Sequence, residues 1–265
     1  MVKKTKKYFK NCKKKSYKKK ILKNKINKKG GHTNNLEYLK KHNPDIFIPQ
    51  NQINELYQIL FDIHNFLSKY NIPYFAFGGT LIGAVRNKGL IYWDDDIDIC
   101  TTNHYIEKIM SLEKNLNDKG FSINKFWGGI KIFYSNNKLI KNLGWQHIKE
   151  DYFEWSWPFV DIFGCEIIDD KVIINNHSNK PNCFFYKKDL FPLKLYQFGN
   201  IKIYGPNRSE HFLNSCFGSD WNKKAKINSY NHRKEWVNKI NVKEIDLDNS
   251  LMSCPKNNNI LVNKF

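Results

Sequence analysis

Four carboxylates crowd one short stretch of this chain, Trp93-Asp94-Asp95-Asp96-Ile97-Asp98-Ile99. From Asp96 onward acids and isoleucines alternate, the period-two pattern of a strand with one face in a core. Asp96 and Asp98 then share a face about 6.6 Å apart along the backbone, while Ile97 and Ile99 enter the core. Two carboxylates so placed repel one another unless something positive lies between them. Mg2+ suits such a pair, with Mn2+ as the alternative, because it accepts few protein carboxylates and completes its shell with water and phosphate oxygens. A bare Asp triplet is ordinarily a solvated acidic loop. The alternation with isoleucine argues against that here.

The elements upstream must hold something for that ion to act on. An apolar run over residues 74–77 stops at Gly78-Gly79, and Thr80 stands as a helix N-cap before Leu81, Ile82 and Val85. Strand, glycine turn and helix follow one another. Glycines at such a junction let backbone N–H groups approach an anion closely, and the helix behind them points its positive end the same way. Gly78, Gly79 and Thr80 are therefore the expected phosphate cradle. After a turn at Asn87-Lys88-Gly89 the chain reaches the acids. Arg86 is one of three arginines in a chain with 41 lysines, so a planar fork toward a phosphate or a nearby carboxylate suits it. A structural salt bridge to one of the aspartates fits it equally.

These motifs resemble the LicD/fukutin family of phosphotransferases, which carry Gly-Thr-Leu-x-Gly-x-x-Arg followed by Trp-Asp-x-Asp-x-Asp. Gly79, Thr80, Leu81, Gly83 and Arg86 match the first segment, and Trp93, Asp94, Asp96 and Asp98 the second. The resemblance covers roughly residues 53–221. It implies a nucleotidyltransferase-like fold related to DNA polymerase β, a CDP-linked donor and a glycan acceptor. It also implies a third carboxylate on a neighbouring strand. Asp161, alone in the apolar run Phe159-Val160-Asp161-Ile162-Phe163, is costly to bury without a cation or donors and is the expected third metal ligand with Asp96 and Asp98. Asp161 or Asp94 would take the proton of an incoming hydroxyl. Phe217 stands where the family usually has tyrosine.

The rest of the chain sets limits. Net charge is +19, yet residues 1–30 hold fifteen lysines and no acid, so the remainder is nearly balanced. That tail, with the linker to residue 35, is expected to be disordered and open to nonspecific contact with nucleic acid or an anionic membrane surface. Scarce arginine argues against base-specific reading. No apolar run approaches the ~20 residues of a membrane span, and no secretory signal is evident. A cytoplasmic placement, peripheral to a membrane at most, is expected. Six scattered cysteines suggest neither zinc nor disulfides, with Cys100 and Cys165 as reduced core residues.

The expected fold class is α+β, a mixed sheet flanked by helices, with a catalytic domain over 36–240 and a C-terminal extension over 241–265. Ile53, Leu56, Leu60, Ile63 and Leu67 predict an amphipathic helix over 50–70. A helix over 103–119 capped by Asn103 and strands over 121–126 and 130–134 follow. A hairpin turns at Asp169-Asp170, a further strand runs over 201–204, and a short helix ends near Cys216. Lys131, alternating with Ile130 and Ile132, reads as the solvated side of its strand. Trp145, Trp155 and Trp157 read as packing, or as flanks for a base or a choline-like cation. Asp220 and Trp221 read as helix-end packing. Two other readings of the whole are an Asp-x-Asp glycosyltransferase, which does not need the glycine turn, and a noncatalytic polyanion-binding module held by the lysine tail.

Overall fold

The computed structural model describes residues 35–141, 154–175, 182–227, 230–233, 236–237 and 244–265. The lysine tail and Trp145 lie outside the described residues.

Helix α1 (Asn35–His42) precedes α2 (Gln50–Lys69), the central helix. Its five predicted apolar positions, spaced three and four apart, are all buried, so one stripe faces the core. Asn71 takes a left-handed φ of 53° and Pro73 follows, which turns the chain into β1 (Phe75–Ala76). Next come α3 (Gly78–Ile82), a widened helical turn over Gly83–Asn87, and β2 (Ile97–Thr102). The predicted helix over 103–119 is two helices, α4 (Asn103–Ser111) and α5 (Glu113–Asn117), broken at Leu112. Both predicted strands of the following hairpin form, β3 (Phe121–Phe126) and β4 (Gly129–Tyr134). Then come β5 (Leu139–Lys141), β6 (Glu154–Ser156), the ten-residue β7 (Phe159–Ile168) and β8 (Lys171–Ile174), the last two joined by the predicted turn at Asp169-Asp170.

The main sheet runs β1-β2-β7-β4-β3, with β8 and then β9 (Phe184–Tyr186) added beside the far end of β7. β2 and β7 are parallel and the other pairs antiparallel, so the sheet is mixed and the fold is α+β. Register explains its two faces. Ile97 pairs with Val160, which pairs in turn with Ile132, and Ile99 pairs with Ile162, which pairs with Ile130; all six side chains are buried. The alternate positions are Asp98, Asp161 and Lys131.

Beyond the sheet lie α6 (Lys187–Leu190), the hairpin β10 (Lys194–Phe198) and β11 (Ile201–Gly205), and α7 (Glu210–Phe217). One expectation is corrected here: Cys183, before β9, is bonded to Cys216 on α7, their Cα atoms 5.1 Å apart. Spacing of 33 residues gave no sign of it. Cys100 and Cys165 are free and buried as expected. β12 (Lys224–Lys226) pairs with β15 (Glu244–Asp246), and β13 (Tyr230–Asn231) with β14 (Trp236–Val237). The final residues lie along α2: Tyr57 donates its hydroxyl to the Pro255 carbonyl (3.0 Å), and the Phe265 ring meets those of Phe66 and Phe121. Among the described residues no helix is long and apolar enough to cross a membrane.

Candidate active site

Two glycines set how closely the acids approach the turn. Gly78 has φ +53°, a left-handed value that a side chain resists, and a Cβ there would collide with Oδ2 of Asp98. At Gly79 a Cβ would collide with Oδ2 of Asp94. The Gly-Gly turn is therefore pressed directly against two of the carboxylates. α3 starts at Gly78 with Phe77 as its N-cap, so the predicted capping role of Thr80 is corrected. Lying inside the first turn, Thr80 instead accepts the backbone N–H of Asp98 on its hydroxyl at 2.8 Å. That bond ties the glycine turn to the acid-bearing strand.

Parallel pairing sets Asp98 opposite Asp161, and Asp96 stands just before β2. One carboxylate oxygen from each of Asp96, Asp98 and Asp161 lies within 4.8 Å of the others, a spacing that one ion can bridge. Asp95, Asp96 and His232 form a second such group around the shared Asp96. Asp95 itself is already answered by donors. Its Oδ1 meets Nδ1 of His232 at 2.8 Å, and its Oδ2 accepts the His232 backbone N–H at 3.1 Å and lies 3.3 Å from Nε of Arg233. The His232 Nε2 sits 3.3 Å from Oδ2 of Asp96. Trp157 donates its indole N–H to the Asp95 carbonyl at 2.6 Å.

Electrostatics separates these acids. Burial raises Asp98 well above the usual carboxylate range, and Asp96, Asp161 and Asp94 raise it further. Burial likewise raises Asp94, with Asp96 and Asp95 adding to it and His232 and Arg86 opposing. For Asp161 burial outweighs the nearby Lys131, leaving the carboxyl at about 6. Burial alone would lower His232, but Asp96 and Asp95 carry it up to about 10.

Arg86 donates Nε–H to the Asn87 side chain (2.8 Å) and Nη1–H to the Trp221 carbonyl (2.9 Å). It thus braces the turn after α7, and its charge also acts on Asp94. Trp221 donates its indole N–H to Asn214 on α7, the packing expected of it. Lys131 is the largest correction. It is buried, and its ammonium donates to both oxygens of Asp161 at 2.6 and 2.7 Å. An alternating lysine reads as solvated only when its strand has an open face, and sheet order sets that. Trp155 packs over this ammonium. Asp95, His232 and Arg233 were missed altogether, although Arg233, like Arg86, is one of the chain's three arginines.

Residues 71–208, more than half the chain, match the LicD/FKTN/FKRP nucleotidyltransferase-domain family. The chain belongs to this family. An uncharacterised protein of Rickettsia typhi is 34% identical over 177 residues, covering 66% of this chain and 48% of that one. Another of Rickettsia prowazekii is 30% identical, covering 66% and 58%. The chain thus spans about half the length of these relatives. A segment of 41 residues is 56% identical to the lipopolysaccharide cholinephosphotransferase LicD of Haemophilus influenzae, 16% of each chain. LicD-family membership supports a transferase. Asp94, Asp96, Asp98 and Asp161 fall inside the matched residues and His232 and Arg233 outside, so the family pattern could not have pointed to the last two.

Proposed function

We propose that this chain is a metal-dependent phosphotransferase that moves a phospho-alcohol, such as phosphocholine or a polyol phosphate, from a CDP-linked donor to a glycan hydroxyl. One observation carries the reading: three carboxylates converge within 4.8 Å beside a Gly-Gly turn so close to them that neither glycine could carry a side chain. Oxygen donors at this spacing fit Mg2+ or Mn2+. Asp96 and Asp98 would hold the ion, with Asp161 as third ligand. When bound, the ion neutralises charge on the phosphate oxygens and on the departing nucleotide.

The chain's own groups do the rest. First-turn amides of a helix lack intrahelical partners, so those of Gly78, Gly79 and Thr80 would bind the donor's phosphate, which the missing Cβ atoms let come close. Arg86, fixed by the Trp221 carbonyl, adds positive charge on the same side. Both oxygens of Asp161 are engaged by Lys131, which leaves Asp94 as the better base. Burial and its acidic neighbours raise Asp94 well above the ordinary carboxylate range, which makes it a stronger base than an exposed aspartate. The acceptor oxygen attacks the alcohol-bearing phosphorus, the bridging P–O bond breaks, CMP leaves, and the hydroxyl proton passes to Asp94.

The test is a donor screen with Mg2+ and CDP-choline, CDP-ribitol or CDP-glycerol, following CMP. Metal-dependent CMP release that rises on adding glycan is expected. Release of UDP from a nucleotide sugar, with no CMP from any of the three donors, would overturn the proposal in favour of glycosyl transfer.

A further inference from the structure

We propose that Lys131 is a positioning residue and the site's resident cation, fixing Asp161 and limiting how tightly the carboxylates take up a divalent ion. This rests on the reading of Asp96, Asp98 and Asp161 as an ion site. Register provides the first support. Asp98 pairs with Asp161 across β2 and β7, and Asp161 with Lys131 across β7 and β4. Cross-strand partners project from the same side, so the three charged side chains form one row over three adjacent strands.

Enclosure provides the second. The Lys131 and Asp161 side chains are only 7% and 9% exposed. The ammonium lies 3.5 Å from the centre of the Phe159 ring, 4.9 Å from Trp155 and 5.3 Å from Phe126. Aromatic faces attract a cation and deny it water. A lysine at the surface would swing into solvent when a divalent ion arrived; this one is walled in by three rings. Donating to both oxygens of Asp161 still leaves each oxygen a further lone pair, so Asp161 is held without being lost as a ligand. Lys131 therefore stays beside any ion that Asp161 touches, and its charge opposes that ion.

That consequence has a sign that distinguishes it from a mere packing role. Without the ammonium, Asp161 gains effective negative charge and mobility, so an ion should bind more tightly while turnover falls. The experiment titrates the full-length protein with Mn2+ alone, reading free Mn2+ by electron paramagnetic resonance, and follows CMP release separately. Lys131→Met is expected to bind Mn2+ on the order of tenfold more tightly and to lose about tenfold or more of the CMP rate. Lys131→Arg, which keeps the charge, is expected to stay within about threefold of the parent's Mn2+ affinity. Unchanged or weaker Mn2+ binding by Lys131→Met overturns the role of Lys131.

If Lys131→Met does not fold, Lys131→Gln, which keeps hydrogen-bond donors toward Asp161 but not the charge, carries the test. It is expected to bind Mn2+ more tightly than the parent; unchanged or weaker binding by the folded variant overturns the inference. A parent chain that binds no Mn2+ instead overturns the ion-site reading itself, which separates the two failures.

Discussion

Asp62 on α2 and Asp98 on β2 are both carboxylates that burial pushes above their usual range. Their surroundings differ in kind. Asp62 is met by donors: the Tyr134 hydroxyl at 2.9 Å, the Gln58 amide at 3.0 Å and the Lys264 ammonium at 3.5 Å. After burial, the next influences on Asp98 are three other acids, Asp96, Asp161 and Asp94, all of which raise it further. A structural carboxylate is surrounded by what stabilises its charge. Around Asp98 three acids act against the single opposing charge of His232, a balance that the divalent ion proposed for this site would reverse.

The largest expected effects come from exchanging each of these acids for alanine. Asp98→Ala should lower CMP release by about a thousandfold. The ion-free protein should become more stable by about 1 kcal/mol, because a repelled charge is gone. Thr80 keeps its bond, since it accepts from the Asp98 backbone. Asp62→Ala should do the reverse, costing about 1–3 kcal/mol as buried donors lose their acceptor, with turnover unchanged. Thermal unfolding and CMP assays on both variants check this. A loss of stability in Asp98→Ala comparable to that in Asp62→Ala would erase the distinction.

Much of the candidate site's geometry was legible in the sequence because it is local. Alternation at Asp96-Ile97-Asp98-Ile99 marks which side chains face the core, and the spacing along α2 marks its buried stripe. What escaped depends on which strands become neighbours. Lys131 carries the same alternation as a solvated strand residue, and only β7 beside β4 buries it against Asp161. Asp95 meets His232 across 137 positions, a pairing that no spacing rule anticipates. Rarity of arginine was a real signal read at one position only. Arg233 and Arg208 both pair with carboxylates, Asp95 and Asp189, whereas Arg86 donates to a carbonyl and an amide. Thr80 looks like a cap by composition, but the turn at Gly78 starts the helix three residues earlier than such a cap would.

A second, smaller effect sharpens the contrast through pH. Asp94 and Asp98 bind protons more tightly in the folded protein than in the unfolded chain, and Asp161 does so up to about 6. Between the ordinary carboxylate value and these raised ones the folded state holds more protons, so stability falls as pH rises. His232, raised to about 10, continues the decline above its ordinary value near 6.5. Ion-free protein should therefore unfold at progressively lower temperature from about pH 5 to 8. Saturating Mg2+ or Mn2+ should remove the part of that slope due to the clustered acids, because a bound ion replaces their protons. The part due to Asp62, also raised, should remain. Parallel melting curves with and without the ion would refute the cluster as its binding place.

The smallest expected effect concerns the strap that answers Asp62. Lys264 is 36% exposed where Asp62 is fully buried, and their closest atoms are 3.5 Å apart. Solvent screens such a pair, so Lys264→Met should cost only about 0.5 kcal/mol. Part even of that would come from its ammonium, 4.2 and 5.1 Å from the centres of the Tyr134 and Phe121 rings, a cation–ring contact that methionine replaces only with apolar packing. Tyr134 and Gln58 still donate to the carboxylate, which is why deleting the acid costs more than deleting this cation. CMP release should be unaffected, because nothing in the donor shell of Asp62 touches Asp96, Asp98 or Asp161. A tenfold fall in turnover for Lys264→Met, with the melting temperature unchanged, would mean that the strap reports to the carboxylate row, and the division between the two acids would no longer hold.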